Sequence, residues 1–264
     1  MMARAALLLA TVGLPAMLAA QAVPAPATPA PIPPQPQNPS PMVEYTRAHE
    51  RLAPRDLDGT TRSFSGPLGR PVEVFVPATT KRAEALTLVV HFLGSPFIAE
   101  YAVSRLGGND KVAAVVNVGA GSGIYDRTFS DPPVFDSLLA AVGRETSAVL
   151  GRPTRFTRIV LSGFSAGHGA IRAILRDSAH FARVDAVLLL DGMHTSYVPE
   201  GTVIEKGGTL DERNLVVWER YARAAIRGEK RFLVTHSEIF PGTFASTTET
   251  ADWLIRTLGL KRTP

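Results

Sequence analysis

From residue 62 onward, short β-branched or apolar runs alternate with amphipathic segments, and few architectures accept that order. Strands that keep alternating with helices assemble into a mostly parallel sheet with helices on both faces, so the expected class is three-layer α/β. Strands are expected near residues 62–65 and 72–76, joined as a hairpin through the Gly-Pro-Leu-Gly turn at 66–69, and then at 86–91, 112–118, 158–163, 184–190 and 232–235. Helices are expected over 97–106, 134–150, 166–177 and 211–227, with apolar residues at helical spacing in 134–150 and 166–177. Ser246-Thr-Thr-Glu249 has the spacing of a capping box and opens a last helix that Gly259 stops. Residues 192–210 carry little pattern and several glycines, which reads as a loop or cap.

The first 42 residues stand apart. Arg4 is followed by an uncharged apolar stretch from Ala5 to Ala19, and Ala20 and Ala22 occupy the two small-residue positions of a cleavage site, so residues 1–22 read as a signal peptide. The stretch is shorter than the roughly 20 apolar residues of a spanning helix, which argues for removal and against stable membrane insertion. Residues 23–42 are dominated by Pro and Ala and read as an extended linker, since Pro donates no backbone hydrogen bond. Residues 43–264 are then the folded domain, in a periplasmic or secreted protein. With no cysteine, neither disulfides nor thiolate metal sites are available, and the fold must rest on its core. The formal net charge of +4 comes from scattered Lys and Arg without a basic stripe, which does not fit a nucleic-acid partner.

The chemistry is concentrated at Gly163-Phe-Ser165-Ala-Gly167, a G-x-S-x-G sequence placed between an apolar strand and an amphipathic helix. A serine forced into such a corner stands exposed at a helix N-terminus, where free N–H groups favour developing negative charge. Small residues at 163 and 167 let the chain close around it. His168, directly after this turn, is expected on the helix and turned aside. Gly119-Ala-Gly-Ser-Gly123 resembles a phosphate-cradling loop only superficially, because no helix is expected to open directly after it and dinucleotide spacing is not met; it reads as a loop of the active site. No His/Asp/Glu spacing suggests a metal, and no cofactor is required.

With Val89-Val-His-Phe-Leu-Gly-Ser95 placed where an oxyanion loop follows the third strand, the region from 62 to 258 resembles the α/β-hydrolase family, in the manner of a secreted serine esterase. The resemblance implies Ser165 as nucleophile, the backbone N–H groups of Ser95 and Ala166 as the oxyanion hole, and a small-molecule ester, or an amide, as substrate. Its chain order of nucleophile, acid and histidine leaves Asp191 or Glu238 as the acid, with Asp191 favoured because it ends a wholly apolar run. The histidine is His236, His194 or a residue beyond 264; ending just after a helix, the sequence is expected to lack the last strand of the fold. A non-catalytic binding or scaffold protein with the same fold, lacking the histidine, is the alternative.

Overall fold

The computed structural model describes residues 53–83, 85–237 and 239–262, so the expected signal segment, the linker and Glu238 lie outside the described residues. In chain order the elements are β1 (Gly59–Ser65), β2 (Pro71–Pro77), β3 (Leu86–Phe92), α1 (Pro96–Arg105), β4 (Lys111–Val116), α2 (Ser122–Phe129), α3 (Pro132–Leu150), β5 (Phe156–Phe164), α4 (His168–Arg176), α5 (Ser178–Arg183), β6 (Ala186–Leu190), β7 (Tyr197–Val198), β8 (Thr209–Leu210), α6 (Val216–Ile226), β9 (Arg231–Thr235) and α7 (Thr247–Thr257). Seven strands form one sheet in the order β1-β2-β4-β3-β5-β6-β9. β1 and β2 pair antiparallel as the expected hairpin, β2 joins β4 antiparallel, and every pair from β4 to β9 is parallel.

The two faces of the sheet are covered unequally. On one, Val74, Val90, Leu161 and Leu189 join Phe129 of α2, Leu138 of α3 and Ile171 of α4 in a large buried core, which Trp218 of α6 extends. On the other, Ala99 and Val103 of α1 pack on Phe75, Ala113 and Val115. Beyond α1 that second face opens into an apolar groove of about 520 Å³ bordered by Leu188, Leu190 and Leu233. For this reason β6, whose apolar run reads as a buried strand, alternates, as does β9 beside it: Val187 and Leu189 are inaccessible, while Leu233 is 52% exposed.

Two further differences concern the site. A helix does open within the glycine stretch, at Ser122, with Gly121 at φ 86° as its N-cap. Helix propensity there is poor, but α2 gains close packing on α4: a Cβ on Gly169 would lie 2.2 Å from the Ser122 carbonyl oxygen, so only glycine allows the approach. Residues 192–210, expected as a loop or cap, fold part of their length into the small β7–β8 hairpin.

Candidate active site

Ser165 leaves β5 and begins a single 3₁₀ turn, Ser165–Gly167, that runs directly into α4. Its φ of 44° is a left-handed conformation that costs a non-glycine residue on the order of 1–2 kcal/mol, held here by the buried strand on one side and the helix on the other. The flanking glycines are sterically required. A Cβ on Gly167 would sit 2.1 Å from the Phe92 carbonyl oxygen, and one on Gly163 would meet the Gly167 carbonyl at about 3.1 Å. Leu93 (φ 64°) and Asp191 (φ 49°) are the other described non-glycine residues with positive φ, and they follow β3 and β6, the neighbours of β5 in the sheet. Strain is thus gathered along one rim, at the carboxyl ends of three adjacent parallel strands.

A cavity of about 370 Å³ opens in front of Ser165. Its walls include Ala166, His168, Arg172, His194, Asn214 and Phe244. His168 is not turned aside: buried in the first turn of α4, it places Nδ1 2.9 Å from the Ser165 carbonyl oxygen. Nδ1 must donate in that contact, which leaves Nε2 as the bare nitrogen. Burial, with the His194 charge as a second cause, pushes the His168 pKa down to about 3, so the ring is neutral at ordinary pH. The His194 ring lies 5.5 Å from that of His168 and edge-on to Phe244 at 5.1 Å. Its Nδ1 and Nε2 face the carbonyl oxygens of Ala245 and Asp191, each at 3.2 Å, so a protonated ring donates to both and a neutral ring to one.

The three amides after β3 have distinct fates. Leu93 N–H donates to the Val116 carbonyl at 3.2 Å, and Gly94 N–H donates to Asn117 Oδ1 at 3.0 Å while the Asn117 side chain donates back to the Gly94 carbonyl at 3.0 Å. Ser95, exposed as the N-cap of α1, makes no such contact through its N–H among the described residues, and it lies outside the walls of the cavity. Ala166 lines the cavity and belongs to the first turn after β5, where N–H groups have no intrahelical acceptor. The Asp191 carboxylate is hydrogen-bonded to neither imidazole: it accepts from Ser237 N–H at 3.1 Å, Ser237 Oγ at 3.0 Å and Thr247 Oγ1. Gly192 follows it against the elbow, where a Cβ would meet the Ser165 carbonyl oxygen at 3.1 Å. His236 is exposed and pairs Nδ1 with Thr248 Oγ1 at 2.9 Å and Nε2 with Arg262 at 3.4 Å. The structure therefore joins Ser165 and Ala166 with His194 and His168 in one cavity, and keeps Ser95, the Asp191 carboxylate and His236 outside its walls. Among the described residues no group of three or more His, Asp or Glu side chains could hold a metal ion.

A strained serine corner that follows a central parallel strand, in a sheet ordered β1-β2-β4-β3-β5-β6-β9, decides the architecture. The chain has the α/β-hydrolase fold. Solved structures similar to it include an enterochelin esterase from Shigella flexneri, at 13% identity and a TM-score of 0.37 over 53% of this chain and 37% of that one. Esterase B from Lactobacillus rhamnosis HN001 matches at 12% identity and a TM-score of 0.45, covering 84% of this chain and 79% of the other. A fungal esterase from Rhizomucor miehei matches at 17% identity and a TM-score of 0.36, over 55% and 47%. The chain spans well under two thirds of the length of the first and third of these. No family model matches it, and no curated protein does. Sequence reading of this hydrolase fold passed over Arg172 and Asn214. The i+3 and i+7 spacing of His168 and Arg172 from Ser165 marks both as belonging to one helix face; Asn214, brought in by the 3₁₀ turn Glu212–Asn214 ahead of α6, had no local signal.

Proposed function

We propose that the protein is an ester hydrolase that acylates Ser165. The observation that carries this reading is the left-handed Ser165 corner opening into a cavity that also holds two imidazoles. In the reaction Ser165 Oγ attacks the ester carbonyl carbon, an imidazole takes the hydroxyl proton and passes it to the departing alcohol, and water then releases the acid from the acyl-serine. The N–H of Ala166, with that of Ser95 if the loop closes on bound substrate, receives the oxyanion. His194 is the proposed base, accepting the proton once one ring nitrogen leaves its carbonyl contact: it shares the cavity with Ser165, whereas His168 is held neutral by burial and is too weak a base, and His236 lies outside the cavity walls. Asp191 orients His194 through its main-chain carbonyl, while its carboxylate fixes the turn on Ser237 and Thr247.

An exported location, periplasmic or secreted, belongs to the same reading and is supported by the Arg4-led apolar start and the small residues at 20 and 22. N-terminal sequencing of the mature protein checks it, a start near residue 23 being expected.

One observation favours a binding role for the same cavity: among the described residues no imidazole is hydrogen-bonded to Ser165 Oγ. Such contacts often tighten only when substrate binds. Labelling with a fluorophosphonate separates the two. Attachment at Ser165, located by mass spectrometry and lost in Ser165→Ala together with a roughly 10⁴-fold fall in ester turnover, is the expected result; a wild-type protein that neither labels nor turns over esters is a binding protein.

A further inference from the structure

The cavity in front of Ser165 carries a charge that acyl transfer does not use. Arg172 lies on α4 one turn beyond His168, and its side chain lines the cavity while remaining only 12% exposed. Its Cα is roughly 10 Å along the helix from Ser165 at about 1.5 Å per residue. Helical side chains lean toward the N-terminus, which carries the guanidinium back toward the serine. Nε and Nη2 both bind Asp126 Oδ2, at 2.9 and 2.8 Å. Asp126 Oδ1 accepts from Arg176 at 3.0 Å, so one carboxylate serves two guanidinium groups. The other carboxylate beside the cavity, Asp211, is already matched by Arg213 at 2.8 Å and by Asn214 Nδ2 at 3.3 Å. Arg172 therefore has one hydrogen-bonded carboxylate, Asp126, and shares it with the half-exposed Arg176. Arg172 Nη1 makes no hydrogen bond among the described residues and is not fully buried, so it keeps free donors on a residue that lines the cavity.

We propose that Arg172 recognises a carboxylate on the substrate, and that the preferred substrates are half-esters of short dicarboxylic acids. The inference rests on Ser165 acylation as the activity. A guanidinium that is mostly shielded from water, and whose carboxylate partner is shared with a second arginine, forms a strong charge-assisted pair with a further carboxylate. A neutral acyl chain in the same place would take water from Nη1 and return no acceptor. The volume of about 370 Å³ accommodates a four- or five-carbon diacid. The hydroxyls of Ser122 and Ser196, on the other walls, supply polar contacts suited to the same anion.

Hydrolysis of monoethyl succinate and of ethyl butyrate, followed by pH-stat, tests the assignment. The specificity constant of the wild-type protein should favour the half-ester by about tenfold or more, and Arg172→Gln should lower that ratio by at least about tenfold, mainly through KM. Arg172→Lys, which keeps the charge, should retain most of the ratio. Because Arg172 also bridges to Asp126, the double variant Asp126→Asn with Arg172→Gln removes the pair together and should lose the ratio to the same extent. No wild-type preference for the half-ester, or a preference that survives Arg172→Gln in a variant with a normal melting transition, overturns the proposal. Calorimetric titration with succinate needs no turnover and separates the two levels. Succinate binding without hydrolysis of either ester would reject the acylation reading and leave the carboxylate site; hydrolysis of ethyl butyrate without succinate binding would reject the site alone.

Discussion

Single residues at the elbow act through hard contacts and one displaced proton. Gly167 is the clearest steric case, because its missing Cβ is replaced by the Phe92 carbonyl oxygen, 2.1 Å from where that atom would be. Gly167→Ala must push β3 and α4 apart, and a loss of about 3 kcal/mol or more is expected in urea unfolding, with esterase activity falling in step. His168 makes a different kind of prediction. Its pKa is 6.5 in the unfolded chain and about 3 in the fold, so between those values the unfolded chain holds a proton that the folded one does not. Stability contributed by the neutral ring is then fully present above about pH 6.5 and is lost as pH falls toward 3, at up to roughly 1.4 kcal/mol per pH unit. His168→Asn, whose amide can still donate to the Ser165 carbonyl, should flatten the stability profile between pH 4 and 6 by about that slope. Coincident profiles for the two proteins would show that the histidine is not held neutral.

Among the elements, α7 is tied down at its start more tightly than its length suggests. Ser246 Oγ accepts from Glu249 N–H at 3.2 Å and Glu249 Oε2 accepts from Ser246 N–H at 2.7 Å, the reciprocal capping box. The same carboxylate also accepts from the buried Tyr197 hydroxyl of β7, at 3.0 and 2.9 Å, and so joins the helix to the cap region. Glu249→Ala removes the cap and leaves that hydroxyl without a partner, so it should cost about 3 kcal/mol in chemical unfolding, against about 1 kcal/mol for Ser246→Ala. The contrast also marks what can be read from sequence. The capping box, the β1–β2 hairpin and the Ser165 corner are local patterns, legible because each is fixed by residues a few positions apart. The Tyr197 contact with Glu249, the pairing of Arg172 with Asp126 and the seat of Asn214 on the cavity depend on segments far apart in the chain, and no periodicity encodes them. Alternating burial in β6 and β9 was illegible for a related reason: an apolar run does not record which face of a sheet a helix will cover.

Across the whole molecule, the strained residues follow the parallel strands and not the cavity. Leu93, Ser165 and Asp191 stand side by side at the ends of β3, β5 and β6, yet only Ser165 lines the cavity. Leu93 supplies no functional side chain in the proposed reaction, and glycine adopts its φ of 64° without steric cost. Leu93→Gly should therefore change stability by less than about 1 kcal/mol in either direction, relief of strain being set against a more flexible unfolded chain and the loss of apolar contact. Differential scanning calorimetry would check this, and a fall of several degrees would mean that the Leu93 side chain matters more than its backbone.

The bent backbone at these places also limits what the rim can do. A leucine and an aspartate that hold a posture glycine would adopt at ease leave the rim few other shapes to settle into, and glycine variants at 93 and 191 measure how much endurance the molecule gives up for that rigidity.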